Sequence, residues 1–421
     1  MISAIAPLTV MVLTAITARA LTRSWLSPGA FFPLLWSFFV FVPLVFAPDF
    51  NADAFGLWYI VLLAMACAAG SVIIPQPAVT KFLSLSAIGK NANLRLLFLS
   101  YNLFLLVTLV GLVLLIFYAF SNYGLKFNTA ALLSIPNLIS VDRYSGSGAA
   151  YPLYVRYSLY CIYPASLLGG FLRSLTPAGG KKFLSVLPII VAIIFGMVQG
   201  TRSNILLTLV LYFSAFFSGL ITNQNETVKI SYLKVIISGS IAVAVFTVFY
   251  IVIQWLRQGM DPFIVELLLT RIRAYFFGYL ASFTQWVSHL DSVLPTLGLT
   301  TFAGPSNLAD IIERPLGFYD AHFIAPGITT NIYSALRGLI LDFSLLGSVV
   351  VAFILGFLIQ LAFLRVRYGS LLAMVPLSMF YAFTLYSPVI SIFHYNSIII
   401  SWVFAFIVFL PARHAILAYN R

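Results

Sequence analysis

Apolar residues in this chain fall in long runs, at about residues 4–18, 30–47, 55–74, 96–120, 153–172, 183–198, 205–220, 235–254, 339–364, 371–386 and 391–410. Charged residues fall in the gaps between them, except for Arg156 and Asp342. A helix needs roughly 20 apolar residues to cross a hydrocarbon core of about 30 Å, and inside lipid it must satisfy its own backbone hydrogen bonds. The pattern predicts an all-α polytopic membrane protein of about eleven transmembrane helices, with residues 1–421 forming a single integral membrane domain. No basic region precedes the first run and no small-residue cleavage site follows it, so that run is expected to be a retained helix and not a signal peptide.

Composition agrees with this reading: 62% of the residues are hydrophobic and 8% charged, with a mean hydropathy of +1.04, where soluble domains carry about 25% charged residues. The two cysteines, Cys67 and Cys161, both lie in apolar runs, which argues against a disulfide framework or a thiolate metal site. The sequence has no Walker loop, no HExxH, no serine elbow and no Asp-rich cluster, so neither a metal nor a cofactor is expected and an ATP-driven pump is disfavoured.

The net charge of +12 follows from where the charges sit. Alternating the faces of successive runs gathers Arg19, Arg23, Arg95, Arg173, Arg365 and Arg367, with most of the lysines, on one side, where Glu226 is the one carboxylate. Lys and Arg collect on cytoplasmic loops, so that side is cytoplasmic, the N-terminus lies outside and the C-terminus inside. The basicity then calls for no nucleic acid; the partners expected are membrane lipids and a lipid-borne substrate.

Two connections on the outer face exceed the usual loop length: residues 121–152 and, above all, 255–338. Long loops in compact proteins commonly carry function. Within the second, residues 263–269 and 272–290 are apolar and aromatic enough to form interfacial or re-entrant helices. Outer-face cations other than Lys126 are all arginine: Arg143, Arg156, Arg202, Arg257, Arg271, Arg273, Arg314 and Arg337. A guanidinium offers phosphate oxygens a planar fork, so a pyrophosphate headgroup suits such a set; each arginine can also anchor to lipid or pair with a carboxylate. Arg271 and Arg273 diverge by about 200° on a helix, so one ligand meets only one of them. The densest polar constellation runs from Asp320 and His322 through Asn331 and Tyr333 to Arg337. There His322 can take a proton, Asp320 can orient it and Arg337 can hold a leaving phosphate, although the first two can equally stitch the loop.

Three segments carry a resemblance: Gly200-Thr201-Arg202 between two runs, Tyr275-Phe276-Phe277-Gly278-Tyr279 in the large loop, and Thr330-Asn331-Ile332-Tyr333 followed by Arg337, Asp342 and Gly347. With the hydropathy profile, they make the chain resemble the Wzy-type O-antigen polymerases, the oligosaccharide repeat-unit polymerases of bacterial surface polysaccharide assembly. The Arg-to-Gly spacing of some family members is absent after Arg156, Arg257 and Arg337. The resemblance implies a GT-C-like glycosyltransferase of the bacterial inner membrane with its active site on the periplasmic face. Its substrates would be undecaprenyl-pyrophosphate-linked oligosaccharides, and a chain-length regulator protein would be a further partner. Carried over by residue, Arg202, Arg271 and Arg337 would hold pyrophosphate, with Arg156 and Arg273 as further candidates. His322 would be the base, assisted by Asp320, and Tyr279, Asn331 and Tyr333 would contact glycan. An O-antigen ligase and a lipid-linked oligosaccharide flippase are the alternatives.

Overall fold

The computed structural model describes residues 2–75, 92–145, 152–176, 181–223, 247–260, 264–290, 294–313 and 319–419. Arg314, Glu226 and the first half of the 235–254 run lie outside the described residues. The chain folds as a helical bundle: α1 (Ile2–Thr22), α2 (Pro28–Phe46), α3 (Ala54–Val72), α4 (Ala92–Asn122), α5 (Thr129–Ser145), α6 (Leu153–Tyr160), α7 (Ile162–Leu175), α8 (Lys181–Leu184), α9 (Leu187–Gln199) and α10 (Ser203–Leu220). Then come α11 (residues 247–257) and α12 (Ile264–Ser288), a short α13 (Ala303–Leu308), a hairpin of β1 (His322–Ala325) and β2 (Ile328–Thr330), and α14 (Ala335–Arg367), α15 (Met374–Tyr386) and α16 (Asn396–Tyr419).

Among the described residues, six helices are long and apolar enough to cross a bilayer: Ala4–Thr22, Pro28–Phe46, Ala54–Val72, Leu94–Asn122, Ser203–Leu220 and Ala335–Arg367. Three shorter apolar helices, Leu187–Gln199, Met374–Tyr386 and Asn396–Pro411, correspond to further runs. This is a polytopic, membrane-embedded architecture. The single run at 153–172 is split in two at Cys161, because Pro164 has no N–H to give the carbonyl of Tyr160.

Packing is densest between α3 and α14 and between α7 and α10. On α14, Leu346, Val350, Ile354 and Leu358 form a stripe at i, i+4 that faces outward, as suits contact with lipid tails. The opposite face buries Ala352, Gly356 and Gln360 against α3. A Cβ on Gly356 would overlap the carbonyl oxygen of Cys67, and one on Gly70 that of Phe353, so reciprocal glycines let the two backbones touch. Polar links cross the same interface: Ser71 Oγ donates to Gln360 Oε1 at 2.8 Å, and the Tyr59 hydroxyl meets Ser348 Oγ.

The two ends of the bundle differ. Arg19, Arg23, Arg365 and Arg367 share one end, where Arg23 and Arg367 are close enough for their charges to interact. At the other, the α2–α3 connection receives α12: Asp53 N–H donates to Thr284 Oγ1 at 3.0 Å, and Gln285 Nε2 donates to the carbonyl of Asn51 at 2.6 Å. Where hydropathy marks two short segments, α12 is one unbroken helix of 25 residues, packed on α2 and α3 with the β-hairpin against its side.

Replacing Gly356 with leucine is expected to cost about 2 kcal/mol or more through overpacking. Thermal unfolding in detergent checks this, with the outward-facing Leu358→Ala, expected to be near neutral, as its control.

Candidate functional site

α12 is the shared wall of two arginine-bearing sites. Its residues Tyr275 and Trp286 are eleven positions apart, hence about 16 Å along the axis and within about 20° of the same face.

The first site is a partly open cavity of about 310 Å³ formed by α5 (Ser140, Val141), Arg202, α11 (Tyr250, Gln254, Arg257), the turn after it (Gln258) and α12 (Arg271, Ile272, Tyr275). Gly200 ends α9 in the left-handed region, at φ 63° and ψ 30°, where a side chain is strained. A Cβ there would also stand 2.8 Å from Ser140 Oγ and 2.9 Å from the Pro136 carbonyl, so glycine lets α5 close on the junction. Asn204 fixes the turn by donating to Gln199 Oε1 and Thr201 Oγ1, both at 2.7 Å, while Tyr163 donates to Asn204 Oδ1 at 3.0 Å. Arg202, on this turn, lies 4.2 Å from the ring centroid of Tyr250 and 4.7 Å from that of Tyr275. Its Nη1 is buried and has no hydrogen-bond partner. Among the described residues, three arginines and no carboxylate line the cavity, a lining that favours an anion.

The second site is at the start of α14. Ser334 caps that helix, its Oγ accepting from Leu336 N–H at 3.2 Å, and Ala335 N–H donates to the Ser387 carbonyl at 2.7 Å. Arg337 follows in the first turn, with Tyr333, Tyr319 and Trp286 around its guanidinium at 4.1, 4.3 and 4.8 Å. Its Nε and Nη1 are buried without a hydrogen-bond partner. Burial raises the Tyr319 phenol well above its usual value and raises Tyr333 as well, in both cases partly offset by Arg337, so both rings face the cation as neutral phenols.

Held by ring quadrupoles at about 0.5 to 2 kcal/mol per ring, these arginines keep their full charge. Each buried N–H left unpaired costs about 1–3 kcal/mol. An oxyanion accepting those N–H groups removes that cost, and the rings cannot.

His322, on β1, is half-buried, and its Nε2 is 2.9 Å from Gln285 Oε1. The donation from Gln285 Nε2 to Asn51 turns its carbonyl oxygen towards the histidine. In the neutral ring Nε2 therefore carries the proton and Nδ1 is the basic nitrogen. The His322 ring lies 6.2 Å from that of Tyr333, which joins it to the Arg337 site. The hydrogen bond that orients His322 is thus donated to Gln285, which sequence reasoning missed; Asp320 is exposed nearby, and its charge reaches Tyr333.

The remaining candidates are dispersed. Arg271 is exposed on the cavity wall, whereas Arg273 pairs with Asp49 and lies over Phe50 at 5.3 Å, the divergence that helical geometry imposes. Arg156 is half-buried on α6, away from both arginine sites' contacts. Tyr279 is buried and its hydroxyl donates to the Phe39 carbonyl, so its ring packs α12 onto α2. Tyr333 is buried over Arg337, and Asn331 is exposed beside it. Among the described residues no group of three or more His, Cys, Asp or Glu forms a metal-ligand set.

Comparison with known proteins finds no match: no family model, no curated protein and no solved structure is similar to this chain.

Nitrogen-15 NMR of histidine-labelled protein is expected to show His322 as the Nε2–H tautomer in the unaltered chain and as a mixture in Gln285→Leu. An Nδ1–H tautomer in the unaltered chain contradicts this arrangement.

Proposed function

We propose that this protein is an oligosaccharide repeat-unit polymerase of the inner membrane, acting on undecaprenyl-pyrophosphate-linked glycans at the periplasmic face. One observation carries the reading: Arg337 is buried among three aromatic rings, with Nε and Nη1 unpaired, and is joined through Tyr333 to a histidine whose Nδ1 is its basic nitrogen. An anion-stabilising group beside a base is what glycosyl transfer from a lipid pyrophosphate requires. The resemblance in sequence and the large arginine-bearing segment 255–338 support the same reading.

In the proposed reaction the bond between the anomeric carbon of the growing glycan and its pyrophosphate oxygen breaks. The electron pair leaves with the pyrophosphate, whose new charge Arg337 stabilises. The acceptor hydroxyl of an incoming lipid-linked unit forms the new glycosidic bond, and its proton passes to His322 Nδ1. Arg202 and Arg271 hold a second phosphate-bearing group in the cavity, with the N-terminus of the chain outside and its C-terminus in the cytoplasm. A chain-length regulator would act on the assembled polymer from the same face. The large outer segment favours the polymerase over the flippase; an O-antigen ligase, which would use the same donor and fold, is the alternative.

The test is a variant series in membranes supplied with lipid-linked repeat units. Arg337→Ala is expected to lower polymer formation by a factor of 100 or more, corresponding to about 3 kcal/mol or more of lost charge stabilisation, with expression unchanged. Arg337→Lys is expected to restore only part of it, since an ammonium does not reproduce the fork. Normal polymer from Arg337→Ala would overturn the assignment.

A further inference from the structure

The cavity carries more polar chemistry than an anion alone uses. Five polar atoms of the residues that line it are buried without a hydrogen-bond partner: Arg202 Nη1, the Tyr250 hydroxyl, Ser140 Oγ, Gln254 Oε1 and Gln258 Oε1. Tyr250 and Gln254 are each only 8% exposed. Tyr250 and Gln254 are spaced i, i+4 on α11, and Gln258, in the turn that ends it, keeps the helical pattern by donating its N–H to the Gln254 carbonyl at 3.2 Å, so the three form one stripe along the cavity wall. The set is mixed in kind. The arginines donate; the two glutamine oxygens can only accept; the two hydroxyls can do either. A phosphate satisfies the arginines and does nothing for the glutamine oxygens, since it brings acceptors to acceptors. What suits both is a ligand with hydrogen-bond donors next to its phosphate, and a volume of about 310 Å³ is at the lower end of small-molecule sites.

We propose that this cavity binds a glycosyl phosphate, with Arg202 and Arg271 on the phosphate and Gln254 and Gln258 reading the hydroxyl or amide N–H donors of the attached sugar. The glutamines are specificity-determining residues: they distinguish a sugar phosphate from a phosphate carrying an apolar group. Tyr250, which lines the cavity with its ring against Arg202, sits between the two halves of the ligand. The assignment rests on the polymerase reading only for the lipid that would carry the sugar phosphate; the pairing of donors with acceptors is independent of it.

The test is a ligand-observed phosphorus NMR titration of the full chain in nanodiscs with two water-soluble probes, glucose 1-phosphate and methyl phosphate. The unaltered protein is expected to bind glucose 1-phosphate about tenfold more tightly, the effect of two hydrogen bonds of ordinary net strength. Equal binding of the two, or binding of neither, overturns the proposal, and this arm needs no folded variant. In Gln254→Met/Gln258→Met the ratio is expected to fall towards one while methyl phosphate still binds; a ratio that stays near ten also overturns it. In Arg202→Ala both probes are expected to be lost, and retention of either removes the arginine from the site. A third probe, glucose joined to farnesyl diphosphate, distinguishes the sources of the ligand. A gain of tenfold or more over glucose 1-phosphate supports a bilayer-borne substrate. No gain, with the sugar preference intact, keeps the cavity assignment and sinks the polymerase reading.

Discussion

An arginine near a membrane has two ways to be tolerated: a carboxylate can neutralise it, or aromatic rings can hold it while its charge remains. This fold uses both. Arg273 takes the first course with Asp49, and the pair, about half exposed on each side, is worth at most about 1 kcal/mol. Arg202 and Arg337 take the second, seated against two and three rings and keeping unpaired N–H groups. Keeping buried donors unpaired is unfavourable, so their placement makes physical sense where an oxyanion arrives to accept them. The choice of ring over carboxylate separates a site from a structural ion pair in this chain.

α12 makes that arrangement possible. Tyr275 from this helix faces Arg202, and Trp286 faces Arg337, so one rigid element sets the spacing of both cations. The helix is itself fixed at several points. Tyr279 bonds to α2, Thr284 and Gln285 hold the α2–α3 connection, and Ser282 Oγ donates to the Ile332 carbonyl at 2.5 Å, seating the chain that leads into α14. The strap at residues 296–301 completes the second site from behind. Its Thr300 and Thr301 N–H groups donate to the buried Asp342 carboxylate at 2.9 and 2.7 Å, next to the kink of α14 at Ser344. Asp342 thus serves the strap and leaves Arg337 to the rings.

The helices were legible in the chain because a bilayer imposes one strict rule, a run of apolar residues, and the runs correspond to helices wherever the described residues cover them. The break at Cys161 was signalled by Pro164, and the junction before Arg202 by Gly200. The hairpin was signalled too: Pro326-Gly327 between His322–Ala325 and Ile328–Thr330 is a turn dipeptide between short extended stretches, with Gly327 at φ 71°. Other features had no local signal. Asp49 and Arg273 are 224 positions apart, and Gln285 meets His322 across 37. Such pairings belong to the tertiary fold. The stripe of Tyr250, Gln254 and Gln258 at the end of α11 lay in plain view at i, i+4, i+8, yet it reads as the fraying end of an apolar run until α5 and α12 are seen to close over it.

The most direct test of the central claim is a reconstituted reaction. Purified protein in proteoliposomes would be given a synthetic undecaprenyl-pyrophosphate-linked repeat unit, with chelator present and no nucleotide, and the products separated on a gel. A ladder rising in single repeat-unit steps is the result this account predicts. Substrate that crosses the bilayer at its original length, or remains unchanged, would contradict it.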